Sequence, residues 1–424
     1  MKKILLLFIA FNSIVFAQIK FEDYFTDKTL RFDYYHIGDI NSQMIAFDAM
    51  REEPYWGGPK KNLIDPFNFG NYKYEVYDKS SGKLIFSRGY STLFAEWLTT
   101  PEAKKYKRAF HETIVFPFPK KEVILKIYAR DEKNVFRQVY EFEIDPSNPF
   151  IKKDKPYKFD TLKFIYNGDP SSMVDIVVIP EGYTNDEMEK FKKDLDKFVN
   201  ALFGSSPYRE NKNNFNIWAV KAPSKESGTD IPRDNIWKNT IVNSSFYTFD
   251  TERYLMTEDN KTLRDLAGNV PYDLIYIMVN TSKYGGGAIY NFYSVCVSDN
   301  ENFQYLVTHE FGHGFAGLGD EYYTSQVSYE EFYKTNVEPW ERNLTTLVDF
   351  DSKWKNLIDK DTPIPTPPID KYKNKVGVFE GGGYVPKGVY RPMFDCTMKS
   401  RSIDNFCVVC KQTLQAMINY YCEK

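Results

Sequence analysis

Residues 303–322, reading Phe-Gln-Tyr-Leu-Val-Thr-His-Glu-Phe-Gly-His-Gly-Phe-Ala-Gly-Leu-Gly-Asp-Glu-Tyr, constrain the chain more than any other stretch. Phe303, Leu306, Val307, Phe311 and Phe315 recur at helical spacing, so the segment is expected to form a buried helix. His309 and His313 then lie one turn apart on one face, where two imidazoles can share a metal ion. In this spacing Glu310 is ordinarily the base that takes a proton from a zinc-activated water, not a ligand. Catalytic zinc needs a third protein ligand and one open position. Gly317 and Gly319 can end the helix and turn the chain back, which makes Asp320 the expected third ligand and Glu321 its competitor. The 424-residue chain has only four histidines, and two of them fall in this motif.

At the start, Lys2 and Lys3 precede an apolar run, and Val15-Phe16-Ala17 supplies small residues at a cleavage position. Residues 1–17 read as a secretory signal peptide. Asn12 and Ser13 interrupt the run, which is too short to span a bilayer, so no transmembrane anchor is expected. No cysteine follows the cleavage position to suggest a lipoprotein. Export is therefore expected, to the periplasm, the cell surface or the medium. The formal net charge of −3 gives no sign of nucleic-acid binding.

Residues 19–145 read mostly as β-structure. The segments 72–77 and 83–86 flank the turn-rich Asp78-Lys79-Ser80-Ser81-Gly82, and 123–129 and 135–144 flank a charged turn. Several short strands with turns between them suggest a β-sandwich. His36 and His111 lie here, and a lone histidine is more often a packed residue than a ligand. Residues 146–156 are proline-rich and charged and mark a boundary. Beyond it, 174–180 reads as a buried strand, and Thr184 with Glu187 forms a capping box for a helix with Met188, Phe191, Leu195, Phe198, Val199 and Leu202 on its apolar face. Residues 214–221, 272–279 and 293–297 read as further strands. The glycine-rich 285–291 before the last of them reads equally as a loop or as an edge that an extended peptide could join. The expected fold is α+β and multidomain: an N-terminal antiparallel β-sandwich (18–150), then an α/β zinc-peptidase domain with a mixed sheet (160–424).

Cys407 and Cys410 form a CxxC, with Cys396 upstream and Cys422 near the end. Thiolate zinc sites usually combine two such pairs, and a thioredoxin-like context is missing. One disulfide from Cys396 to Cys407 or Cys410 is expected. The long segment between Glu321 and Arg391 is expected to wall a cleft. Tyr322, Tyr384 and Tyr390 are the phenols considered for oxyanion stabilisation.

Taken together, several motifs resemble the IgA-peptidase family of secreted bacterial metallopeptidases, metallopeptidase family sixty-four, among the metzincin-like zinc peptidases. They are Tyr55-Trp56-Gly57-Gly58-Pro59, Ser87-Arg88-Gly89-Tyr90, Glu96-Trp97, Phe110-His111-Glu112, Pro180-Glu181-Gly182-Tyr183-Thr184, the His309–His313 helix with Asp320-Glu321-Tyr322, Tyr390-Arg391-Pro392, Cys396-Thr397-Met398 and Phe406-Cys407-Val408-Val409-Cys410. The resemblance covers nearly the whole mature chain. It implies a β-sandwich followed by a metzincin-like peptidase domain, zinc on His309, His313 and Asp320, and a methionine turn at Met398. In the wider metzincin pattern the glycine and the third ligand come three and six residues after the second histidine. Here Gly317 and Asp320 each come one place later, and Glu321 stays open as the alternative. The function expected is hydrolysis of peptide bonds in a protein or peptide substrate. The alternatives are a surface glycan- or protein-binding protein with a structural zinc, and a zinc amidase of cell-envelope material. The acidic loops also leave room for a calcium ion.

Overall fold

Seven strands precede residue 150 in the computed structural model, which describes residues 19–323 and 332–423. The signal-peptide reading lies outside the described residues. The strands are β1 (Phe25–Asp39), β2 (Ser42–Glu53), β3 (Tyr72–Asp78), β4 (Leu84–Tyr90), β5 (Arg108–Pro119), β6 (Val123–Arg130) and β7 (Phe136–Ile144). They form two antiparallel sheets, β2-β1-β5 and β4-β3-β6-β7. Gly82, at a φ of 67°, lets the chain reverse between β3 and β4. Along β6 the side chains alternate in burial, with Val123, Leu125, Ile127 and Ala129 inward. They meet Leu30, Phe32, Val76, Phe86 and Phe116 in one core shared by both sheets. Each buried aromatic of this kind contributes roughly 1.5–3 kcal/mol.

Each side of the 146–156 segment has its own buried cluster, but contacts cross it. Lys152 runs beside β2, with its N–H donating to Met50 O at 3.0 Å and its carbonyl accepting from Glu52 N at 2.9 Å. Phe69, Phe94, Trp97 and Phe110 all precede it in sequence, yet they pack into the core of the later part. Arg31 of β1, fully buried, pairs with Asp33 at 2.8 Å and with Asp265 of the later part at 2.7 Å.

That later part is built on β8 (Thr161–Ile165), β9 (Val174–Glu181), β10 (Phe215–Val220), β11 (Leu274–Val279), β12 (Gly286–Ile289) and β13 (Tyr293–Val297), in the order β12-β13-β11-β9-β10-β8. The four central strands are parallel, and the edge strands β12 and β8 are antiparallel to their neighbours. Every residue of β9 and β11 is buried, as expected for parallel strands covered on both faces. The main helices here are α1 (Met188–Leu202), α2 (Asn260–Ala267), α3 (Phe303–Ala316) and α4 (Val408–Tyr421). The capping box forms before α1, where Thr184 N donates to the Glu187 carboxylate at 2.8 Å. The chain is thus α+β, with antiparallel sheets first and a mixed sheet after. A two-stranded ribbon, β14 (Phe379–Gly382) and β15 (Val385–Arg391), lies late in the long connecting segment. No helix among the described residues is long and apolar enough to cross a membrane.

Candidate metal centre and cleft

Helix α3 is buried almost all round, which is why its sequence is apolar on more than one face. It packs against β12, β13, α1 and α4. The helix ends at Gly317, whose φ of 58° suits glycine, and the N–H of Leu318 closes back on Gly312 O at 3.2 Å. This reversal returns Asp320 to the histidines. His309 Nε2 and His313 Nε2 are 3.2 Å apart, and Asp320 Oδ1 lies 3.2 Å from the first and 3.3 Å from the second. A tetrahedral ion with nitrogen and oxygen ligands at 2.0–2.1 Å sets such separations near about 3.3 Å. Asp320 Oδ1 is buried with no hydrogen-bond partner, whereas its Oδ2 accepts from Tyr384 Oη. The donor set therefore fits a metal ion. Glu321, the competing acid, points elsewhere.

Both histidines are oriented from behind. His309 Nδ1 donates to Thr397 O at 3.1 Å, and His313 Nδ1 to Leu318 O at 2.5 Å, which leaves both Nε2 lone pairs for an ion. Met398, fully buried, lies under the helix, and a Cβ on Gly312 would come within 3.0 Å of its sulfur. Burial alone would lower the pKa of His313, but Asp320 and Glu310 raise it to about 9 in the metal-free site. For Asp320, burial pushes upward and the two histidines pull its carboxyl well below the usual range. Glu310 is buried beside them, and that burial raises its pKa despite the opposing histidines. A Cβ at Gly286 of β12 would stand 3.1 Å from Glu310 Oε1, so the bare glycine leaves the carboxylate room.

The site opens into a cleft of about 290 Å³. The glycine-rich segment forms the edge strand β12 and not a loop. Gly286 is bridged to Tyr254, and by alternation Ala288 presents its N–H and C=O on the same outer side, toward the cleft it lines. Glu96 from the N-terminal part also lines this cleft, and its carboxylate accepts from Tyr254 Oη. Described residues of the long segment, including Tyr333, Trp340 and Tyr384, also line it; residues 324–331 lie outside the described residues.

Tyr322 and Tyr384 reach the cleft, but Tyr390 does not, because its place in β15 pairs it with Glu380 and Thr345. Arg253, whose Nη2 donates to Tyr322 Oη at 2.9 Å, carries no local sequence signal. Tyr305, 3.1 Å from His309 Nδ1, could have been found as the residue one helical turn before it. His36 and His111 stay outside the site. His36 is buried between Glu112 at 3.0 Å and Gln43 at 2.9 Å, and His111 lies near Asp33 and Asp48. Nor does the structure support calcium, which takes six to eight oxygens: among the described residues each group suited to a metal contains histidine or cysteine.

The cysteines differ from expectation. All five are free and buried, and Cys396 Sγ stands 3.8 Å from Cys410 Sγ with no disulfide between them. Cys396, Cys407 and Cys410 instead converge with Glu321. The disulfide reading followed from pairing cysteines two at a time, and the fold brings three together.

Two family models match the chain. One, described as IgA Peptidase M64, matches residues 162–372 and 368–418. The other, described as Peptidase M64 N-terminus, matches residues 20–141. No curated protein matches the chain.

Proposed function

This chain belongs to the IgA peptidase M64 family, and from that membership we propose that it is an exported, zinc-dependent endopeptidase with a metzincin-like centre. The carrying observation is the triangle of His309 Nε2, His313 Nε2 and Asp320 Oδ1, with sides of 3.2–3.3 Å, next to the Glu310 carboxylate at a cleft. Zinc held by these three residues would keep one position open, where it supplies Lewis acidity to a carbonyl and brings the pKa of a water near neutrality.

Glu310 takes the proton of the attacking water and passes it to the leaving amine. Glu310 is buried beside the two histidines and lines the cleft, within reach of such a water. The outer edge of β12 at Ala288 would hold an extended substrate by backbone hydrogen bonds. Tyr322, backed by Arg253, is the phenol best placed to donate to the developing oxyanion. Met398 serves as the methionine turn beneath the histidines. Residues 1–17 direct export.

Cleavage of unfolded proteins and quenched-fluorescence peptides by the purified mature chain tests this reading. The expected result is internal cleavage that a chelator abolishes and added zinc restores. Cleavage that persists without metal, or release of amide-linked envelope fragments with no proteolysis, would contradict it.

A further inference from the structure

About one residue beyond the histidine site the chain enters a second cluster that the peptidase reading does not use. Cys396, Cys407, Cys410 and Glu321 each offer a ligand atom, all four lie within 4.8 Å of one another, and all four residues are buried. They come from three places: the segment after α3, the turn that carries Met398, and the start of α4.

We propose that these four residues form a second, structural metal site for a thiophilic divalent ion of the zinc class, independent of the reading of the cleft. Two separations, hydrogen bonds in the metal-free site, lie near those of a tetrahedral ion. With metal–sulfur bonds of about 2.3 Å, two sulfurs stand about 3.8 Å apart and a sulfur and an oxygen about 3.6 Å apart. Cys396 Sγ and Cys410 Sγ are 3.8 Å apart, and Cys410 Sγ and Glu321 Oε1 are 3.3 Å apart. Backbone donors already face the sulfurs. Met398 N and Cys407 N lie 3.5 and 3.3 Å from Cys396 Sγ, and Cys410 N lies 3.4 Å from Cys407 Sγ. Such N–H groups, with the N-terminus of α4, would help to hold thiolates bound to a metal.

Glu321 adds the second line of evidence. Its Oε1 accepts from Asn343 Nδ2 at 3.0 Å, but its Oε2 is buried without a hydrogen-bond partner. Among the described residues no basic side chain pairs with it; Arg391 Nη1 donates instead to Glu380 O and Gly381 O. A disulfide would use two of the three thiols and leave Glu321 Oε2 without a partner. A cation held by the three sulfurs and the Glu321 carboxylate would draw on all four residues at once. With four protein ligands the coordination is closed, which marks a structural site and not a catalytic one. Binding releases the three thiol protons and holds the Thr397 carbonyl and Met398 against α3.

Cobalt substitution of the whole mature chain tests this, because thiolate-to-cobalt charge-transfer bands in the near ultraviolet can come only from the cysteine site. We expect those bands in the parent and in His309→Ala, and their loss in Cys407→Ser. Elemental analysis should give one metal equivalent fewer in Cys407→Ser than in the parent. A thiol-specific mercurial added to the folded, zinc-loaded parent should release one equivalent, a measurement that needs no variant. Absence of the thiolate bands in cobalt-loaded parent, absence of mercurial-released metal, or a disulfide from Cys396 to Cys407 or Cys410 in peptide mapping would each overturn the proposal. Mercurial-released metal together with a total metal content equal in the parent and His309→Ala would support this site while contradicting the histidine site.

Discussion

Asp320 divides its two oxygens between different partners. Oδ1 is left to the histidine side, while Oδ2 accepts a hydrogen bond from Tyr384, which holds the carboxylate in one orientation. Outer partners of this kind typically matter by roughly 10–100-fold in metal affinity. Tyr384→Phe is therefore expected to weaken zinc binding on that order in a chelator-competition titration, and Tyr390→Phe to leave it unchanged. Equal effects of the two variants would show that the phenol on Asp320 does not set its orientation. The adjacent acids also show what a linear reading can and cannot settle. A carboxylate returning to the histidines just after the glycine break was legible in sequence. Asp320 was the preferred of the two acids and Glu321 its competitor; the fold turns the first toward the histidines and the second toward the cysteines, a destination for Glu321 that no local signal gave.

Helix α3 and the reversal that follows it act as one element. Gly317 has a positive φ, and a Cβ there would come within 2.6 Å of the Trp340 ring. Gly317→Ala is expected to cost roughly 1–3 kcal/mol, from backbone strain together with this contact. Chemical denaturation would measure that loss, and metal affinity should fall with it because Asp320 depends on the turn. Unchanged stability would mean that the wall segment carrying Trp340 yields freely. This element, the hairpins and the capping box were readable because their signals are local: helical apolar spacing, a glycine where the chain reverses, a threonine three residues before a glutamate. The β12 strand was ambiguous from its glycines alone. Its strand character comes from pairing with β13, a tertiary contact.

On the scale of the whole molecule, the N-terminal part is more than an appendage. It lends Glu96 to the cleft, four aromatic residues to the larger core, and Arg31 to the buried network with Asp33 and Asp265. Removing one partner of a buried charge cluster typically costs about 3–5 kcal/mol. Arg31→Met is expected to lose about that much in thermal or chemical unfolding, with both parts melting together. Separate transitions would contradict the shared packing. Arg253, this network and the meeting of the three cysteines with Glu321 were invisible in sequence because each joins residues far apart along the chain, and no periodicity records such meetings. The most direct test of the central claim is proteolysis by Glu310→Gln prepared with its metal content equal to that of the parent. Turnover is expected to fall on the order of 10²–10⁴-fold with metal retained; cleavage at the parent's rate would contradict a general-base role for Glu310.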